Sequence, residues 1–374
     1  MKFVHQAMTS RGVLFLLIVS VWLAADCALA DQGEVLFPVR SGGKWGYIDK
    51  TGQLKIQPQY DYAFEFAEGL AAICTGVTRW STGSPEEFPE DGKWGYIDQT
   101  GTVIIQPQFE FASSFSEGAA HVRTAGKSGF IDRTGQWVIP AEFSWADNFS
   151  DGLAGAEQSG LWGYIDRKGQ WKITPQFKWV DQFSEGLAHV QLPDGTMRFI
   201  TQKADPVKDH VPQGSTFLGC RFKEQLACFQ DGERFGYMDE HGQVTIQPQF
   251  AIAHEFSEGL APVCVGSPIK VETQMITPAP PQPPATRSCG FIDRSGKFVI
   301  PPQFDAAMGF SEERAVAERQ GRLGVIDREG RWVVQPTFRM AYPFNHGLAR
   351  VYPESMPGFG YVDRNGAFVW HPTE

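Results

Sequence analysis

Lys93-Trp-Gly-Tyr-Ile-Asp98 and Leu161-Trp-Gly-Tyr-Ile-Asp166 are copies of one hexapeptide, and the residues after them are copied too. Each runs through Asp-x-x-Gly into an apolar stretch ending Ile-x-Pro-Gln-Phe, and then into Phe-Ser-Glu-Gly followed by small apolar residues. Taking the glycine of Asp-x-x-Gly as a marker, the copies fall at Gly52, Gly101, Gly135, Gly169, Gly242, Gly296, Gly330 and Gly366. Self-similarity at a fixed period organises a chain before any other signal does. The tightest copies, from Gly101 to Gly135 to Gly169, lie 34 residues apart. The long gap between Gly169 and Gly242 holds a degenerate copy at residues 197–229, with Met197–Thr201 for its first strand and Phe222 to Phe229 for its last. About nine units result. The Phe fourteen residues past each marker (Phe66, Phe115, Phe149, Phe183, Phe256, Phe310, Phe344) keeps strict register.

The unit reads as strands. Asp at the start of Asp-x-x-Gly accepts hydrogen bonds from its own loop, and Gly at the end takes a positive φ. After the turn, Leu54 and Ile56 alternate with Lys55, and Val244 and Ile246 with Thr245, the period of a half-buried strand. Two strands around such a turn make a hairpin. The proline that follows donates no ladder bond and is expected to end the second strand. The Leu-Ala-x-Val stretch is the third strand, and it meets the next unit's Trp-Gly strand through a tight turn, as in Val39 to Trp45. The expectation is an all-β tandem repeat of about nine three-stranded meander units, stabilised by stacking. Glu34–Val39 matches a third strand and Phe368–Trp370 a second strand. The ends therefore suit either a closed propeller-like toroid or an open curved β-solenoid.

The pattern resembles the WG-repeat family, named for its Trp-Gly pair, over about residues 33–370. The Trp itself stands only at Trp45, Trp94 and Trp162, while Ser128, Phe235, Cys289, Leu323 and Phe359 take its place elsewhere. The side chain thus reads as a packing element. The resemblance implies a bacterial protein, commonly secreted or surface-associated, and it informs the fold far more than the function.

Composition narrows the partners. The 374-residue chain carries a formal charge of −10 with no Lys/Arg run. Nucleic-acid affinity rests on neutralising phosphates, so nucleic acid is not an expected partner. Residues 1–30 read as a signal peptide: Lys2 and Arg11 precede an apolar run from Val13 to Ala25, and Ala28-Leu29-Ala30 is an A-x-A cleavage site. A rival reading makes Cys27 a lipoprotein cysteine, but Asp26 before it fits poorly. The expectation is cleavage after Ala30, a single repeat domain over residues 31–374, secreted or periplasmic localisation, and no membrane insertion, because no later apolar run is long enough.

Candidate chemistry is thin. The Asp-x-x-Gly boxes offer one carboxylate each, often beside Lys or Arg, and read as turns rather than calcium loops. Glu68, Glu117, Glu185, Glu258 and Glu312, with Asp151, share one turn position and read as solvated turn residues. His121 and His189 recur at one position without the convergence metal ligation needs. Trp137, Trp145, Trp171, Trp179 and Trp332 suggest a sugar-binding stripe, but their equivalents are apolar in other units, so core packing is expected. No nucleophile elbow, CxxC or phosphate loop is present. No catalytic residue, metal or cofactor is expected. The function expected is a secreted binding or scaffold module for an unidentified protein or polysaccharide. The alternative is an envelope glycan- or peptide-acting hydrolase with its site in an irregular unit, such as that near residues 197–229.

Two inserts, at 76–92 and 266–288, enter at the same hairpin, between the third strand and the next Trp-Gly strand. Per-repeat insertions often mark a binding edge. In the first, Trp80 and Phe88 lie outside the core pattern and are candidate partner contacts. Aligning Arg123-Thr-Ala-Gly-Lys-Ser128 with the second insert puts Cys264 opposite Cys289, so these are expected to form a disulfide across its base. Cys220 and Cys228 are a weaker second pair, which leaves Cys74 free.

Overall fold

The computed structural model describes residues 33–81, 88–207, 220–267, 287–354, 356 and 358–371. The expected signal peptide and most of the second insert lie outside these residues. Every regular element among the described residues is a β-strand, and neighbouring strands pair antiparallel. Among the described residues there are eight hydrogen-bonded sheets, of which the last along the chain, seven strands wide, spans two repeat modules. Nine modules result, the first with strands Leu36–Ser41, Lys44–Asp49 and Leu54–Tyr60. Among the described residues no helix is long and apolar enough to cross a membrane.

One module explains the others. In Lys44–Asp49, Tyr47 and Ile48 are completely buried. The Asp49 carboxylate accepts the Thr51 and Gln53 amides at 2.8 and 3.0 Å, and Gly52 closes the turn at φ 86°. The next strand does not stop at its proline, contrary to expectation: Leu54–Tyr60 runs through Pro58. Trp45 pairs with Tyr60 and Tyr47 with Ile56, so four residues oppose two and Pro58 sits in a bulge. The strand is the outer edge of its sheet, where a missing N–H costs no ladder bond. The bulge also accounts for the glycine of Trp-Gly. A Cβ on Gly46 would collide with the Ile56 carbonyl and the Pro58 nitrogen, and Gly95, Gly163 and Gly236 are in the same position.

Each complete module also has a fourth strand of two residues at its other edge, such as Phe111–Ala112, Trp145–Ala146 and Trp179–Val180. Here neighbouring modules bond directly: the Ser116 hydroxyl donates to the Phe149 carbonyl at 2.8 Å, and Ser150 repeats this to Phe183 at 2.7 Å. We take this tightly linked edge as the inner one. Toward the outside, turn glycines rest on the preceding module's isoleucine, as Gly135 does on Ile105 and Gly169 on Ile139.

The ends meet. Gly52 of the first module abuts the Val369 backbone of the last. The Tyr361 hydroxyl donates to the Pro38 carbonyl at 3.0 Å, and Trp45 packs on Phe359 with ring centroids 5.4 Å apart. One buried apolar cluster contains Leu36, Trp45 and Tyr47 together with Leu348, Phe359 and Tyr361. The toroid is therefore closed, by side-to-side packing of the first and last modules.

Candidate functional site

The strand directions give the ring two faces. One carries the Asp-x-x-Gly and Ser-Glu-Gly turns, the other the hairpins between third and Trp-Gly strands.

On the turn face, Ser116 and Ala119 bond each other's amides around Glu117 and Gly118, both at positive φ (54° and 81°). This is a type I′ hairpin, where Asn or Gly is the unstrained choice at the first position. Glutamate serves instead because its side chain reaches the neighbouring module: Glu117 accepts the Gly152 amide. The same link runs from Glu68 to Gly118, Asp151 to Gly186, Glu185 to Gln225, Glu224 to Gly259, Glu258 to Glu313 and Glu312 to Gly347, at 2.7–3.2 Å. Arginines after the turn aspartates clamp these carboxylates, Arg167 on Glu117 at 2.9 Å and Arg364 on Glu312 at 2.7 Å. The turn carboxylates are thus inter-module links rather than merely solvated groups. The boxes' own aspartates are engaged as well. Asp49 is held down at about 2, chiefly by the Thr51 hydroxyl bond, and Asp132 is lowered by Thr134.

The repeated histidines are core groups. His121 lies 2.9 Å from the Ser128 hydroxyl, and burial drives it down to about 3, as it does His189. Among the described residues no group of three or more His, Cys, Asp and Glu side chains converges on one point.

The hairpin face carries the described residues of the first insert, the described ends of the second and a rim of aromatic rings. Trp45–Tyr62, Tyr62–Trp94, Trp94–Phe111 and Phe111–Trp145 follow one another at 5.1–6.0 Å between centroids. Phe88 of the first insert stacks on Trp94 at 5.8 Å and meets Tyr62 edge-on at 5.3 Å. It therefore packs on this belt, and removing the insert exposes it. Trp80 is half-buried beneath the Arg40 guanidinium, 6.0 Å from its ring. The tryptophans expected in the core divide. Trp145, Trp171 and Trp332 are half-buried, but Trp137 and Trp179 are 44% and 42% exposed, Trp137 on the outer edge strand of its sheet and Trp179 on the inner edge strand of its own.

The inner wall brings together residues that the sequence reading did not single out. Asp181 and Arg221 pair through both guanidinium positions at 2.9 and 3.1 Å, and Glu255 accepts the Arg221 amide at 2.9 Å. Asp147 stands one module earlier. Enclosure by protein and the charge of Asp181 push its carboxyl up to about 7. Glu65, bonded by Asn345 at 3.1 Å across the closure, is also pushed to about 7 by burial.

Cys264 and Cys289 are directly paired in register and joined as a disulfide at the base of the second insert. Cys220 and Cys228 form a second. Cys74 is free and fully buried, and burial raises its thiol to about 12.

The chain is similar in fold to the crystal structure of a eukaryotic initiation factor, at 13% identity and TM-score 0.56, covering 90% of this chain and 94% of the other. It also aligns with the computationally designed protein Ika8, at 13% identity and TM-score 0.47, covering 91% and 100%. BamB from Moraxella catarrhalis aligns at 14% identity and TM-score 0.38, over 62% and 77%. No curated protein matches the chain. The family model "WG containing repeat" matches residues 45–76, 94–127, 129–162, 162–195, 235–267, 290–322 and 324–352, more than half of the sequence. The chain belongs to the WG-containing repeat family.

Proposed function

We propose that this protein is a non-catalytic binding module of the extracytoplasmic space that presents its hairpin face to a protein or polysaccharide. The observation that carries this reading is the division of labour between the two faces. Turn-face carboxylates and arginines link module to module. The hairpin face collects what differs between modules: both inserts, Trp80 and the aromatic rim. Closed repeat rings offer such a surface without moving parts. An extracytoplasmic setting accords with the two cysteine pairs, which persist where the milieu is oxidising, and with the expected leader at residues 1–30.

Affinity capture from envelope extract with the folded mature chain tests the reading. A stoichiometric protein or glycan partner whose capture weakens in Trp80→Ala is expected. Capture of neither overturns it.

The hydrolase alternative has one specific observation behind it. Asp147 is held near neutrality beside Asp181, whose partner Arg221 lies in the irregular unit. Paired carboxylates serve as acid and base in glycosidases. Turnover of a glycan panel by the pure protein, abolished in Asp147→Asn, decides for that alternative.

A further inference from the structure

The two-residue inner strands each begin with a residue at the rim of the hairpin face, directly opposite a residue of the third strand. In four modules the couple is Tyr62 opposite Cys74, Ile252 opposite Cys264, Ala306 opposite Glu318, or Met340 opposite Tyr352, and none of these sets an aromatic ring beside a long hydrogen-bonding side chain. In three consecutive modules it has another composition. Phe111 stands opposite Arg123, Trp145 opposite Glu157, and Trp179 opposite Gln191. Each is an aromatic ring beside a long hydrogen-bonding side chain, and all six keep contact with solvent.

The first of these couples is held ready. The Arg123 guanidinium lies 4.6 Å over the Trp145 ring, and its Nη2 donates to the Gly126 carbonyl at 3.0 Å. Its Nε has no hydrogen-bond partner among the described residues although the atom is buried. Buried donors are ordinarily satisfied, so this one marks a place where a ligand oxygen or water completes the site. Phe111 and Arg123 line a cleft of about 500 Å³ with Lys93 and Glu110 at the foot of the first insert. The rings of the first two couples, Phe111 and Trp145, lie 6.0 Å apart between centroids.

We propose that the rim formed by Phe111/Arg123, Trp145/Glu157 and Trp179/Gln191 is a binding site for a linear polysaccharide, with one couple as the subsite for each successive sugar. The proposal rests on the binding-module reading above and names its ligand class. A sugar ring has an apolar face, which an aromatic ring covers, and a girdle of hydroxyls, which Arg, Glu and Gln satisfy as donors and acceptors. A polymer that repeats asks for a site that repeats, and these couples are related by the repeat of the fold itself. The repeated pairing of a ring with a hydrogen-bonding side chain matches the apolar face and hydroxyl girdle of successive sugars, which favours glycan over protein. The exposed face of Trp179 is the most open ring of the three and the natural entry point.

The test is binding of the mature chain to an array of immobilised linear bacterial and plant polysaccharides. Saturable binding to at least one is expected. Trp179→Ala should then weaken it by about tenfold or more, the scale of truncating a central aromatic anchor, and Gln191→Ala should weaken it less. Both should leave the thermal melt unchanged. Trp137→Ala, equally exposed but on an outer strand, should bind like the parent. A blank array overturns the proposal, as does unchanged binding by Trp179→Ala and Gln191→Ala. If the array is blank while a protein partner is captured from extract, the glycan site alone fails. If both are blank, the binding-module reading fails with it.

Discussion

Glu117 accepts the backbone amide of Gly152, in the next module, through both carboxylate oxygens at 3.2 and 3.1 Å, and Arg167 closes on it from the side. A strained turn residue thus exchanges local comfort for a bond between modules. Glu117→Ala should lower stability by about 1–2 kcal/mol, the worth of charge-assisted hydrogen bonds at a partly exposed site. Glu142→Ala, an exposed substitution outside these links, should stay within about 0.5 kcal/mol of the parent. Chemical denaturation of both variants checks this, and equal effects would count against the linkage.

Gln225 and Glu313 sit at φ 66° and 64°, where the other turns have glycine. Gln225→Gly and Glu313→Gly relieve left-handed strain, keep the amide that each donates, and add some unfolded-state entropy. A net gain of about 0.5–1 kcal/mol is expected. Lower melting temperatures in both would show that the glutamine and glutamate side chains do more than occupy the turn.

Asp147 carries a pH signature. Its folded value of about 7 lies above the ordinary 3.8, so the folded chain retains a proton that the unfolded chain has released. The contribution of Asp147 to stability is therefore full below about pH 4 and is lost as pH rises through 7. Asp147→Asn should match the parent near pH 4 and exceed it by about 1–2 kcal/mol at pH 8, once the shift is discounted for solvent screening. Melts across that range test the sign. A variant advantage that shrinks toward high pH would refute it.

The Cys264–Cys289 bridge closes a loop with a sequence separation of 25. Replacing both cysteines with serine should cost about 3 kcal/mol on the chain-entropy account. Cys74, buried with its thiol pushed to about 12, should resist alkylation until the protein unfolds. Chemical denaturation of the double variant reads the first, and alkylation of the native protein followed by peptide mapping reads the second. Modification of Cys74 in the native state would contradict its placement.

Much of this was legible in the sequence, for identifiable reasons. The turn at Asp49 to Gly52, the alternation of Leu54 and Ile56, and the register of Cys264 against Cys289 are local or repeat-borne signals. They survive in one dimension. The inner strands escaped because two residues such as Trp145–Ala146 are too short to show a period. Pro58 was read as a stop because its bulge and its outer-edge position depend on the neighbouring strand. Trp137 and Trp179 look like core residues when aligned with apolar equivalents, and their exposure is set by the packing of neighbouring modules, which no alignment of units shows. Asp147, Asp181 and Arg221 belong to three modules, and no spacing rule connects them until the modules stand side by side.

The central claim is a closed ring, in which the first module packs against the last. A double-mutant cycle on Trp45→Ala and Phe359→Ala measures this most directly, because these rings touch only if the ring closes. The account predicts a coupling of about 0.5–1.5 kcal/mol, the range for packed aromatic pairs. Strict additivity of the two substitutions, as in an open solenoid whose ends are far apart, would contradict it.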